Sequence, residues 1–157
     1  MDWQTRLDAL WASIDTLDPD EFVDRMGHLT SERPAGDAIA AFERGAAQDS
    51  TGHPDLAVPL YRAALTGGLS GERRRRAVIQ LASSLRNLGQ FEEALAVIEP
   101  EAARESSTLD DAVRSVHALV LSSLGRDREG LALVLEALAP HLPRYQRSMA
   151  NYARALI

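Results

Sequence analysis

Three stretches of the chain repeat one pattern in register: STGHPDLAVPLYRAAL (50–65), NLGQFEEALAVIEPEA (87–102) and SLGRDREGLALVLEAL (123–138). Their glycines, Gly52, Gly89 and Gly125, lie 37 and 36 residues apart. A small residue follows five positions later (Ala57, Ala94, Gly130), and an apolar one nine positions later (Tyr61, Ile98, Val134). Another small residue stands seven positions before each glycine: Gly45, Ala82 and Ala118. A period of this length accommodates one helical hairpin per unit. Antiparallel helices joined by a tight turn come close only where neither carries bulk at the crossing, and each unit supplies such a pair. The intervening glycine suits the left-handed residue that ends a helix. Stacked helical hairpins, an all-α fold, satisfy all of these constraints together.

Composition agrees. Aromatics make up 5% of the 157 residues against 45% hydrophobic, so the core must be built from Ala, Leu and Val. A β-sandwich would draw on more β-branched and aromatic side chains. A charged fraction of 25% fits an ordinary soluble domain. There is no cysteine, which excludes disulfides, thiol catalysis and zinc–thiolate sites. Residues 1–20 carry Asp2, Asp8, Asp15 and Asp18 in an amphipathic pattern unlike a secretory leader, and a cytoplasmic location is expected with no membrane partner. All 17 basic residues are arginine, which reads as the codon usage of a GC-rich bacterial genome.

Helices are predicted near 2–17, 20–31, 36–50, 54–67, 71–88, 90–103, 109–124, 126–139 and 143–156. Trp3, Leu7, Leu10, Trp11, Ile14 and Leu17 form an apolar stripe on the first, and Phe22, Val23, Met26 and Leu29 on the second. This opening hairpin (1–33) is expected to cap the stack, followed by the linker TSERPAG (30–36) and a repeat array over 36–157, all in one compact domain. Pro59 falls inside a predicted helix and should bend it or delay its start.

The central unit, AVIQLASSLRNLGQFEEALAVI, carries Leu81-Ala82, Leu85, Gly89, Phe91, Ala94 and Ile98 at the spacing of the tetratricopeptide repeat, which it resembles. AFERGAAQDSTG and LASSLRNLGQFEEAL are similar to small bacterial members sometimes labelled group 5. The sequence departs from the pattern at Arg114 and His117, where apolar residues are usual, and at the closing prolines, of which Pro140 and Pro143 lie only nearby. The resemblance implies a right-handed superhelical stack of about three repeats with a C-terminal capping helix. It also implies a concave groove formed by the first helix of each unit. By position, that groove receives Phe42 and Asp49 from the first unit, Arg76, Ile79, Ser83, Arg86 and Asn87 from the second, and Ser122 from the third.

The helix over 71–88 has two faces of its own. Val78, Leu81, Ala82, Leu85 and Leu88 recur at spacings of 3 and 4, while Arg76, Gln80, Ser83, Arg86 and Asn87 make a polar face. Two arginines and an amide amid hydroxyls suit a carboxylate through forked, charge-assisted bonds. Pairing between Asp49 and Arg86, at equivalent positions of adjacent units, is the structural alternative. The run Arg73–Arg76 opens the same helix. Consecutive residues turn about 100° each, so four cannot share one solvated face. One or two must point inward, with Arg76 the best candidate for the groove.

Catalytic signals are weak. His28, His53, His117 and His141 are scattered without metal-ligand spacing, and Asp110-Asp111 and Glu92-Glu93 sit at helix starts where negative charge steadies the dipole. No enzyme activity, cofactor or metal is expected. Arginines interleave with Tyr145 and Tyr152 near the C-terminus, a mix that serves nucleic acids, but a pI of about 5.2 disfavours that partner. At the repeat's spacing these tyrosines fall on a packed face. The expected function is a non-enzymatic scaffold or adaptor that binds a peptide or acidic segment of a protein partner. Self-association into a homo-oligomer is the alternative.

Overall fold

The structure is a computed structural model and describes residues 1–104 and 108–157. Among the described residues the chain is all-helical, with nine α-helices packed pairwise in sequence order and one short 3-10 turn. They are α1 (Trp3–Trp11), α2 (Pro19–Thr30), α3 (Ala38–Ser50), α4 (Pro54–Thr66), α5 (Gly71–Asn87), α6 (Phe91–Ala102), α7 (Asp110–Ser123), α8 (Asp127–Leu138) and α9 (Gln146–Arg154). No helix among the described residues is long and apolar enough to cross a membrane. Two compact units divide the chain at Ala77, within α5.

Each repeat turn closes in the same way. The amide after each glycine bonds the carbonyl five residues back: His53 to Gln48, Gln90 to Leu85 and Arg126 to Leu121, all at 2.9 Å. Gly52, Gly89 and Gly125 also donate to the carbonyls three residues back, at left-handed φ values of 89°, 77° and 76°. These paired bonds satisfy the last free carbonyls of the first helix.

In the first unit, Leu7, Phe22, Met26 and Leu29 of the opening hairpin pack with Ala47 of α3, flanked by Trp3, Leu10, Trp11, Ile14, Leu17 and Val23. Trp3 Nε1 donates to the Leu29 carbonyl at 3.0 Å, and Arg33 lies 4.7 Å over the Trp3 ring while forking onto Asp37. Asp37 in turn caps α3 through the Ala40 amide, and Arg33 holds its carboxyl below the usual carboxylate range. α3 and α4 meet at Gly45, where a Cβ would come 3.0 Å from the Tyr61 ring and 3.2 Å from Leu60 Cβ. The small pair expected here, Gly45 with Ala57, is thus really a seat for Tyr61.

The deepest polar contact of this unit centres on Glu43, only 2% exposed. Trp11 Nε1 donates to one of its carboxylate oxygens at 2.9 Å, and Arg73 Nε donates to the other at 3.1 Å. One acid thereby ties α1, α3 and the start of α5 together.

In the second unit, Ala82, Ile98 and Val113 form the core with Ile79, Val97 and Val116 around them. The close approach of α7 and α8 falls at Gly130, where a Cβ would lie 2.8 Å from the Ala118 carbonyl oxygen. His117 sits buried with neither ring nitrogen hydrogen-bonded. Burial pushes its pKa down, and Arg126 adds to that against Glu99 and Glu129.

Several boundaries differ from expectation. α1 ends at Trp11 rather than 17, because the Ser13 and Thr16 hydroxyls take the Leu10 and Ser13 carbonyls and the chain tightens into three-residue turns. α4 begins at Pro54 and runs through Pro59, so the expected late start does not occur. Pro59 and Asp55 are both exposed, and water can serve the carbonyl that the proline leaves unbonded. The last helix begins at Gln146 instead of 143, after a 3-10 turn at Ala139–His141 and a left-handed Tyr145 (φ 68°). That shift leaves Tyr145 and Tyr152 exposed and buries Ala153, contrary to the packed face expected for the tyrosines. Leu88 lies past the end of α5 and is exposed.

Three outcomes are expected. Glu43→Leu should lower the unfolding free energy by about 3 kcal/mol by stranding Arg73 and Trp11, and Arg73→Met added to it should restore most of that loss in urea denaturation. Gly130→Ala should cost about 1–3 kcal/mol by forcing α7 from α8, measured as a lower thermal midpoint. The depressed His117 pKa means the unfolded chain takes up the proton first. Its contribution to stability is therefore complete above about pH 6.5 and is lost as pH falls through the folded-state pKa. His117→Leu should reduce the fall of the thermal midpoint as pH drops below about 6.5.

Candidate functional site

The run Arg73–Arg76 divides among four surroundings, as the helical turn requires. Arg73 reaches inward to Glu43, and its outer Nη2 donates to the Gln4 side-chain oxygen at 2.6 Å. Arg74 is half-buried, and Arg75 is 6% exposed. Arg76 lays its guanidinium 5.2 Å over the Phe42 ring. No acid pairs with Arg76 among the described residues.

Arg73 and Arg76 line a cleft of about 800 Å³ within the first unit. Its other walls come from Gln4, from the start of α3 at Asp37 and Ile39, and from the α4–α5 corner around Ser70. The elements explain the placement. α5 starts at a glycine with φ 61°, and its first turn points Arg73 back to the acid on α3. Phe42 is 0% exposed and tilts 42° against Tyr61, with ring centroids 6.2 Å apart. A flat aromatic floor therefore holds the Arg76 cation, a contact worth about 0.5–2 kcal/mol. Asp37 carries a negative charge at the rim, but Arg33 already holds it. Arg76, half-buried at the cleft wall, is able to give forked bonds to a carboxylate.

Of the other residues singled out in the sequence, Asp49 accepts from the Tyr61 hydroxyl at 3.2 Å. Burial raises the Tyr61 pKa, and Asp49 adds to the rise. In the second unit, Arg86 Nε donates to the Leu119 carbonyl at 3.2 Å and to Ser123 Oγ at 2.9 Å, tying α5 to α7. Ile79 packs on the core cluster, Ser83 is half-buried and Asn87 is exposed. The Gln80 side-chain oxygen is buried without a hydrogen bond. Ser122 Oγ donates to Asp127 at 2.6 Å, on the rim of an apolar groove of about 370 Å³ lined by Leu119, Leu131 and Val134.

Sequence reasoning singled out Arg76, Phe42 and the run Arg73–Arg76, of which one or two had to point inward, but it missed Glu43 and Gln4 and so the partners of Arg73. One signal for Glu43 was available: an acid among Ala40, Ala41, Gly45 and Ala46 on a small-residue helix face needs a cation when buried. Its distance in sequence from Arg73 concealed the partner. Among the described residues no group of His, Asp and Glu is arranged to hold a metal ion.

A family model described as "Tetratrico peptide repeat" matches residues 38–156, from the start of α3 to the penultimate residue. No curated protein and no solved structure matches the chain. The matched span begins at α3, includes all three glycine turns and ends in the last turn of the chain. With paired helices closed by three equivalent turns, the chain belongs to the tetratricopeptide repeat family.

Proposed function

We propose that the protein is a non-enzymatic adaptor that binds an extended, carboxylate-bearing segment of a protein partner, with Arg76 as the leading contact. Domains of this family are in general protein-interaction modules and typically non-catalytic. The observation that carries the reading is a cation held on an aromatic floor at a cleft, with no acid of its own among the described residues. A guanidinium in that state has its forked donors available, and bonds to a charged acceptor are about twice as strong as neutral ones. Ile39 on the cleft wall offers an apolar contact beside the cation. Asp49, Ile79, Gln80, Ser83, Arg86, Asn87 and Ser122 extend the proposal along the family's groove positions, although Arg86 also serves as a tie to α7.

A second reading, self-association, is favoured by the apolar groove of the second unit, where Leu119, Leu131 and Val134 are exposed. Light scattering that shows a monomer across the working concentration range dismisses it.

The adaptor reading is tested with an array of extended peptides, acidic and charge-neutral, on the full chain. Acidic peptides should bind more tightly. Arg76→Glu should weaken them at least about tenfold with unchanged helical circular dichroism, and Arg76→Lys should fall between, since it keeps the charge but loses the fork. Equal binding of acidic and neutral peptides, or full binding by Arg76→Glu, overturns the reading.

A further inference from the structure

Gln4 reaches the cleft from α1 with both ends of its side-chain amide engaged. Its oxygen accepts from Arg73 at 2.6 Å, and its nitrogen donates to Asp8 at 2.7 Å. This orientation follows from the partners, because a guanidinium offers only donors and a carboxylate only acceptors. The Nε of Arg73 is committed to Glu43 in the core, so its outer nitrogens alone face the cleft. A neutral amide oxygen thus sits on the one arginine edge that a ligand oxygen would seek.

Resting on the adaptor reading above, we propose that Gln4 is a built-in competitor: its amide oxygen holds the place of a ligand carboxylate on Arg73. An incoming carboxylate displaces it, and Arg73 and Arg76 then bind one acidic segment together. The exchange is favourable because a charged acceptor replaces a neutral one on the same donor. It strands no buried group, because Gln4 and Asp8 are both exposed and water can take their places. The buried Glu43–Arg73 bond is untouched, so the guanidinium stays aimed while its occupant changes. Asp37 does not compete for Arg73, being forked onto Arg33. Glu72, on the same rim, repels an acidic ligand, and Arg73 and Arg76 together must outweigh it. Gln4 thereby sets the threshold for binding: amide and hydroxyl side chains gain nothing by replacing it, whereas carboxylates do.

The test is fluorescence polarisation with a labelled Gly/Ser peptide carrying two adjacent glutamates, on the full chain at low salt. Gln4→Ala should bind about threefold tighter, the effect of removing one modest hydrogen bond. Gln4→Glu should bind about tenfold weaker or worse, because a tethered carboxylate acts at roughly millimolar effective concentration. Ala9→Glu, an exposed charge-matched control on the same helix, should stay within about twofold of the unmodified chain. If Gln4→Ala binds no tighter while Arg76→Glu still binds at least about tenfold more weakly, the competitor role is wrong and the adaptor reading stands. If Arg76→Glu binds normally, or neither the unmodified chain nor Gln4→Ala binds, both are overturned. Binding that appears only in Gln4→Ala supports the proposal.

Discussion

A carboxylate in a wholly buried position must be matched, and Glu43 meets that requirement by drawing Arg73 inward from the first turn of α5. The consequences spread from there. Trp11 closes the second carboxylate oxygen and fixes the opening hairpin against α3. With Arg73 committed, Arg76 one turn on lies over Phe42, and the cleft takes its shape between them. Core packing and the candidate site are therefore two sides of a single electrostatic arrangement. A substitution at Glu43 would act on both.

The glycines divide by what they do. Gly52, Gly89 and Gly125 have nothing within 4 Å of a would-be Cβ, and their role is conformational. Gly45 and Gly130 adopt ordinary helical geometry and are there for space, one beneath the Tyr61 ring and one against the Ala118 backbone. An alanine at a turn glycine strains one residue by about 1–2 kcal/mol, whereas at Gly130 it pushes against a carbonyl that cannot rotate away.

The repeat was legible in the sequence because it rests on small residues and turn glycines at fixed spacing, which act locally. Among the described residues every helix was found, with errors confined to ends: Ser13 and Thr16 stopped α1 early through hydroxyl bonds, and a left-handed Tyr145 put the start of α9 at Gln146. The site was legible only in part. Arg76 followed from helical geometry, since four consecutive arginines cannot share one face. The pairing of Arg73 with Glu43 and Gln4 did not, because those bonds join residues 30 and 69 positions apart. His117 stood out as a departure from the apolar pattern, but its burial without a hydrogen bond depends on how α7 packs.

The three repeat turns and the Glu43 ion pair differ sharply in how far apart their partners lie along the chain. Each turn is closed by bonds spanning three to five residues, so a repeat hairpin has low contact order and can nucleate on the fast timescale of local structure. The opening hairpin has no such independence. It is made before α5, and the Glu43 that Trp11 bonds waits for Arg73, 30 residues further along the chain. The hairpin's apolar side chains can thus pack on α3 as soon as α3 is made, but the Glu43 carboxylate beneath them gains its cation only after α5 has emerged.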